Sequence, residues 1–295
     1  MESLPLITIY IISYKRLDLL KRCIDAARKQ TYKNVEIIVV DDNSGSEIAD
    51  YLESIAEIDD RVSFFINDQN RGACFSRNVA IVNAKGIYIT GCDDDDFFEE
   101  DRVQRFYENS SLLEKYCFLY TGNKFKISTG IKTSKIDNLS PDVISTRELI
   151  YFNAVGNQVF IKTELLKKYK FDITMPAWQD FDCWYRILAG EKKKARKIDY
   201  LTLVQDVSHG GDRISSSKVE KIKKAFSLFK NKNNLTSIES VLLENHLRNY
   251  FEGKKMFFKS LFYMVVCRFS FLAFIIFSQA IIKYVKSGFR RHTNV

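Results

Sequence analysis

Residues 93–96 are four consecutive aspartates, and they follow the apolar, β-prone run Ile87-Tyr88-Ile89-Thr90. Adjacent carboxylates repel one another, so such a run builds structure poorly but concentrates the hard oxygen ligands that a divalent cation requires. Asp41 and Asp42 end a second apolar run and precede the turn-forming Asn43-Ser44-Gly45. Asp180 stands in Trp178-Gln179-Asp180-Phe181-Asp182, ahead of Trp184 and Leu188. Phe181, Trp184 and Leu188 share one helical face, which puts Asp180 near a helix amino end, where a carboxylate is favoured. His209-Gly210-Gly211-Asp212-Arg213 suggests a loop that approaches an anion. Each feature has a plainer reading: a solvated acidic turn, a helix cap, a glycine turn.

The elements around these residues alternate. Apolar runs at 8–12, 35–40, 62–66 and 87–90 read as buried strands, and helical periodicities through Leu17, Leu20 and Ile24, through Ile48, Leu52 and Ile55, and over 73–84 separate them. Repeated strand–helix alternation predicts a mostly parallel α/β sheet covered on both faces. In such a sheet ligands bind outside the carboxyl ends of the strands. Those ends carry Ser13 and Tyr14, Asp41 and Asp42, Asn70 and Arg71, and the aspartate run. Beyond Phe98 the pattern predicts a helix over 101–115, a strand over 118–121 and a flexible polar connection over 130–141. It continues with a strand over 157–161, a short helix over 165–169 and a strand over 198–204. A Lys-rich helix with a solvated face follows over 218–232.

The formal charge is +8 over 295 residues, but residues 251–295 hold eight Lys or Arg against one acid, a balance of +7 that leaves +1 for residues 1–250. A nearly neutral body excludes a nucleic-acid-binding domain. The tail is aromatic and apolar over 256–285, interrupted by Lys259 and Arg268, and its longest uncharged run, 269–282, has 14 residues. Spanning a bilayer takes about 20 apolar residues. The expectation is a peripheral or monotopic region lying in the interface, with Lys283, Lys286, Arg290 and Arg291 near anionic headgroups. The six cysteines are scattered singly with no C-x-x-C pair, which suits a reducing compartment. The N-terminus shows no signal-peptide pattern, so the chain is expected on the cytoplasmic side of the membrane.

The stretches TIYIISYKR, EIIVVDDNS, NRGACFSRN, GCDDDD and WQDFDCWYRI, in that order, resemble the family-2 nucleotide-sugar glycosyltransferases with the GT-A fold. The resemblance covers about residues 5–215, with a nucleotide-binding half over about 1–100 and an acceptor half over about 101–215; residues 216–295 would be a helical C-terminal region. It implies that Asp93-x-Asp95 is the D-x-D element, with Asp95 the principal ligand of Mn2+ or Mg2+. Asp93 would be shared between metal and nucleotide, Asp96 would extend the motif, and Asp94 would be a bystander. Tyr14, Asp42 and Arg77 would contact the nucleotide. Asp180 would be the general base of an inverting transfer, although Gln179 replaces the family's glutamate before it. Asp182 would be an acceptor-side residue. His209, as a further metal ligand, and Arg213, on the diphosphate, would belong to a closing loop.

The implied reaction moves a hexose such as galactose or glucose from a UDP-sugar to a polyprenyl-diphosphate-linked saccharide in O-antigen or related polysaccharide synthesis. Two rivals remain at the level of sequence. A sugar-1-phosphate nucleotidyltransferase would want a glycine-rich loop after the first strand, and residues 13–16 contain no glycine. A catalytically idle nucleotide-sugar binder would not need Asp93, Asp95 and Asp180 together. A dinucleotide enzyme is disfavoured because no G-x-G-x-x-G follows the first strand.

Overall fold

The computed structural model describes residues 4–133, 141–208 and 219–249, together with residues 278 and 281. The chain divides into two compact units, residues 1–149 with 153–216 and residues 150–152 with 217–295.

The first unit opens with β1 (Ile7–Ser13), α1 (Leu17–Arg28), β2 (Val35–Asp41), α2 (Ser46–Ile58), β3 (Val62–Ile66), α3 (Ala73–Asn83) and β4 (Tyr88–Asp93). These strands pair in parallel in the order β3-β2-β1-β4. β1 is buried at all seven positions and β2 at six of seven. That is why both read as unbroken apolar runs: a strand covered on both faces has no polar side to alternate with. Fully burying each Ile, Val or Leu contributes about 1.5–3 kcal/mol, so Ile9, Ile11, Ile37 and Val39, all at 0% exposure, fix the register of this half.

The remainder is mixed, which corrects the expectation of a mostly parallel sheet. It comprises β5 (Phe97–Phe98), α4 (Arg102–Glu108), β6 (Phe118–Ile127), β7 (Gly130–Thr133), β8 (Val143–Ile144), α5 (Thr146–Tyr151), β9 (Phe160–Lys162), α6 (Thr163–Tyr169), α7 (Gln179–Glu191) and β10 (Ala195–Asp206). The sheet continues from β4 through β9, β6 and β10 to β5. β9 is antiparallel to both β4 and β6, whereas β6 and β10 are parallel. Phe106 stacks on Phe160 at 4.9 Å, and Trp184 packs between Phe118 and Phe171.

Several boundaries differ from the sequence expectation for identifiable reasons. The helix expected over 101–115 ends at Glu108, and a 3-10 turn, Ser110–Glu114, follows because Asn109 closes α4 with its side chain on the Arg105 carbonyl (2.9 Å). β6 runs on to Ile127 through the half-buried Asn123-Lys124-Phe125-Lys126, whose lysines interrupt the apolar run, and Gly130–Thr133 in the expected flexible connection returns as its hairpin partner β7. The strand expected over 157–161 begins only at Phe160, which leaves Asn157 and Gln158 in the preceding loop. Residues 134–140 of the connection lie outside the described residues.

In the second unit, α8 (Val219–Lys232) and α9 (Ser237–Leu243) are described. The Lys-rich helix is not merely solvated: it buries Ile222, Ala225 and Phe229. α9 starts with a reciprocal capping box between Thr236 and Glu239, an arrangement that satisfies two otherwise orphaned N–H groups. Among the described residues no helix is long and apolar enough to cross a membrane. The apolar tail at 256–285 falls, apart from residues 278 and 281, outside the described residues.

Candidate functional site

The aspartate run sits where β4 meets β5. Asp93 is the last residue of β4, and the Asp96 N–H donates to the Asp93 carbonyl (3.0 Å), closing a tight turn. β10 clamps the far side: Val204 and Leu203 pair with Phe97 and Phe98, and the Asp206 N–H donates to Asp96 Oδ1 at 3.1 Å. A backbone held by strands on both sides can keep like charges together that would separate in a free loop.

The four carboxylates differ in what they touch. Asp93 Oδ1 accepts from Arg77 Nη2 (2.8 Å) and Gln158 Nε2 (3.3 Å), and its Oδ2 accepts from Asn157 Nδ2 (3.0 Å). Burial would raise its pKa, but the Arg77 guanidinium and these amides hold it below the usual carboxylate range. Asp96 is buried and shares the Asn157 amide (3.2 Å); burial and the neighbouring Asp95 and Asp93 push its carboxyl up to about 8. Asp95 pairs with Arg16 Nη1 at 2.8 Å.

Asp94, expected as a bystander to the metal and nucleotide, has a structural role. It is fully buried, pairs with Nε and Nη2 of Arg16, and accepts the Tyr14 N–H (3.2 Å). Its carboxyl is pushed up to about 7, chiefly by burial and against the pull of Arg16. The side chain that the D-x-D pattern leaves unassigned therefore fastens the loop after β1 to the turn after β4.

Oxygen atoms of Asp93, Asp95 and Asp96 all lie within 4.8 Å of one another. Three hard oxygen donors so close fit Mn2+ or Mg2+ better than a soft, thiophilic metal. Cys23 and Cys92 lie nearby but are buried beneath the turn, with Cys23 Sγ on the Asp93 carbonyl (3.6 Å). Among the described residues every cysteine is free and buried.

Arg77, from α3, is the bridge to Asp180. The residue is buried, stacks on the Phe171 ring (5.2 Å), and spreads its fork between Asp93 and Gln179 Oε1 (3.2 Å). Gln179 and Asp180 are the first two residues of α7. Trp178 before them is left-handed (φ 58°), a conformation a bulky residue adopts only when its surroundings impose it. Asp180 is thus not the helix cap; it lies one residue inside the first turn. Burial pushes its carboxyl above the ordinary aspartate range, against the pull of first-turn N–H groups and of Arg77.

Asp42 and Tyr14 line the carboxyl edge of the same sheet. Asp42 is buried; its Oδ1 accepts from Asn67 Nδ2 (2.7 Å) and the Arg71 N–H (2.8 Å), and its Oδ2 accepts the Gly72 N–H (2.7 Å). The carboxylate shapes the loop into α3 and retains one acceptor position on Oδ2, since each oxygen can take two donors. Gly72 there has φ +84°, the left-handed region that suits glycine. Tyr14 is 38% exposed, with Lys15 Nζ 5.0 Å above its ring. Asp182 turns the other way. At 0% exposure it pairs with Arg186 (2.8 Å), whose other nitrogens donate to the carbonyls of Tyr169 and Lys170, so it staples α7 to the end of α6. His209 and Arg213 lie outside the described residues.

Sequence reasoning missed Arg16, Arg22, Asn157 and Gln158. Arg22 pairs with Asp206 and donates to the Asp95 carbonyl (2.6 Å), stacked over Phe97 at 4.6 Å. Charge balance was the available signal: a clustered acidic run demands cations nearby, and Arg16 and Arg22 follow the first strand. The amides carry no such signal, because Asn and Gln in a loop look like ordinary turn residues.

Residues 8–174 match the family described as Glycosyl transferase family 2. The chain is 34% identical over 220 residues to the putative colanic acid biosynthesis glycosyl transferase WcaA of Escherichia coli (strain K12), covering 74% of this chain and 78% of that protein. It is 28% identical over 222 residues to the Escherichia coli UDP-Glc:alpha-D-GlcNAc-diphosphoundecaprenol beta-1,3-glucosyltransferase WfaP, covering 74% and 83%. Among solved structures, S. aureus TarS residues 1–349 in complex with UDP-GlcNAc superposes with a TM-score of 0.63 at 16% identity, over 82% of this chain and 71% of that one. A mannosyltransferase from Pyrobaculum calidifontis in complex with GDP-Man and Mn2+ gives a TM-score of 0.59 at 16% identity, over 79% and 65%. These likenesses carry the fold, and the family match carries the class: the chain belongs to glycosyl transferase family 2, a glycosyltransferase with the GT-A fold.

Proposed function

We propose that the chain is a metal-dependent, inverting glycosyltransferase that moves a hexose from a UDP-sugar to a polyprenyl-diphosphate-linked saccharide during bacterial surface-polysaccharide synthesis. The observation that carries the proposal is the bridge of Arg77 from Asp93 to Gln179, because it joins an oxygen-rich cation cluster to the segment bearing a carboxylate with a raised pKa.

The reaction needs charge stabilisation on one face of the anomeric carbon and a base on the other. A divalent cation held by Asp93, Asp95 and Asp96 would stabilise the negative charge of the departing diphosphate. Asp180 accepts the proton of the acceptor hydroxyl as that oxygen attacks opposite the leaving group. Its raised pKa makes it a stronger base than an ordinary aspartate. Asp42 offers its remaining Oδ2 acceptor position to an imide N–H of the base, and the exposed Tyr14 ring offers a stacking face. Asp182 serves as the staple behind the base rather than as an acceptor contact. Residues of about 1–100 supply the nucleotide side and residues of about 101–215 the acceptor side, with His209 and Arg213 assigned to a closing loop by sequence alone. The lipid-linked acceptor is supported by the named substrate of WfaP and by the basic, apolar tail.

The decisive experiment is calorimetry with UDP, with and without Mn2+, followed by radiolabelled transfer from UDP-glucose, UDP-galactose and their N-acetyl forms to a synthetic lipid-diphosphate saccharide. Asp95→Ala and Asp180→Ala are each expected to abolish transfer, and only Asp95→Ala to weaken Mn2+-dependent UDP binding. Full transfer by either variant would remove this mechanism.

A further inference from the structure

Four carboxylates in one turn need compensating charge, and two guanidinium groups supply it from opposite sides. Arg77 is buried against Asp93. Arg16 comes from the loop after β1 and spans two carboxylates, with Nε and Nη2 on Asp94 and Nη1 on Asp95 Oδ2 at 2.8 Å.

The two arms of the Arg16 fork are not equivalent. Asp94 is buried to 1% of its side chain and also receives the Tyr14 N–H, so losing its partner would strand a charge away from water. The Asp95 side chain keeps 14% exposure and belongs to the oxygen cluster suited to a cation. Arg16 is itself 31% exposed, which leaves its outer nitrogen room to turn. The loop that carries it is fixed independently: the Lys15 N–H donates to Ser44 Oγ (2.8 Å), and Lys15 has φ 56°.

We propose that Arg16 is a displaceable counter-ion built into the cation site. It neutralises Asp95 in the absence of a cation and gives up that carboxylate when a cation binds. Asp94 keeps it tethered, so its freed Nη1 faces the diphosphate that enters with the metal. This inference rests on the nucleotide-sugar reading of the site. A guanidinium suits the task because its fork can hold one carboxylate while a second donor changes partner. The consequence is a coupling between ligands. A bare cation must compete with Arg16, whereas a diphosphate offers Arg16 a replacement partner, so each ligand raises the affinity for the other, and by the same factor.

The test measures free Mn2+ by electron paramagnetic resonance against the full chain, with and without UDP. Arg16→Met is expected to bind bare Mn2+ roughly tenfold more tightly than the unmodified chain, and the gain that UDP confers on Mn2+ affinity should shrink. Arg16→Lys has a single ammonium that stays with the buried Asp94; it should keep the fold and also tighten bare Mn2+ binding. If Arg16→Met does not fold, Arg16→Lys alone decides. Asp95→Asn separates the two levels of the argument: Mn2+ binding that survives this change removes the cation reading itself. Where Asp95→Asn abolishes binding but the folded Arg16 variants bind bare Mn2+ no more tightly than the unmodified chain, the counter-ion role is overturned.

Discussion

Asp180 carries opposed demands on stability and chemistry. Burial raises its pKa above the ordinary aspartate value of about 3.9, so the fold favours the protonated form. That stabilising contribution is complete below the unfolded-state pKa and is lost as pH rises through the folded-state pKa. Above the folded-state pKa the ionised side chain therefore weighs against folding, while the proposed transfer needs that same ionised form. Asp180→Asn is accordingly expected to lose transfer by roughly a hundredfold or more, yet to melt no lower than the unmodified chain at neutral pH. For the unmodified chain, the acid limb of kcat/KM should lie above the ordinary aspartate range. Thermal melts and a pH–rate profile check both statements, and a melting point that falls in the asparagine variant would mark Asp180 as structural. Asp180 was legible in the sequence because helical spacing and the aromatic neighbours place it at a helix start. Asp94 was not, because a run of identical aspartates does not say which one faces inward; that depends on Arg16, which lies far along the chain.

At the scale of elements, what was legible follows burial. β1, β2 and β4 and the helices packed on them are covered by the sheet and by one another, so periodicity alone finds them. The second half of β6 is only half-buried and β7 is exposed throughout, and strands of that kind carry little apolar signal. The close approach of β4 to its neighbours was equally hidden. A Cβ on Gly91 would meet the Tyr10 ring at 2.1 Å and Gln158 Oε1 at 2.4 Å. Gly91→Ala should thus cost about 1–3 kcal/mol of stability and push Gln158 off Asp93, which urea unfolding and Mn2+ titration can measure. A second prediction concerns Asp59, which accepts from Arg28 Nε (2.7 Å) and from Arg61 Nε (2.9 Å) and Nη2 (2.8 Å), joining the ends of α1 and α2 to the start of β3. The Arg61 hydrogen bonds lead in holding its carboxyl well below the usual range, against burial. The sign is the ordinary carboxylate one: the contribution is present above the unfolded-state pKa of about 3.9 and is lost as pH falls through the depressed folded value. Asp59→Asn should cost about 2–4 kcal/mol at neutral pH, and the gap to the unmodified chain should narrow in strong acid. Denaturant midpoints at the two pH values check this, and a gap that stays constant would show that charge is not what Asp59 contributes.

For the molecule as a whole, the informative quantity is where the charge lies. A body at +1 has no long-range attraction to an anionic surface, whereas residues 251–295 at +7 also contain the apolar run 269–282. Each basic residue near an anionic bilayer contributes about 1 kcal/mol, and the attraction decays within a Debye length of about 8 Å at physiological salt. Apolar burial adds a contribution that salt does not screen. The two can be separated on vesicles. The full chain is expected to co-float with vesicles containing anionic phospholipid and to release as salt is raised. A chain with Lys283, Lys286, Arg290 and Arg291 changed to Gln should bind more weakly and with less salt dependence. Equal binding of both chains would assign the attachment to the apolar run alone. A full chain that ignores anionic vesicles would remove the membrane role, and with it the physical argument that brings this enzyme to a lipid-linked acceptor; the cation cluster and Asp180 would then have to meet their acceptor in solution.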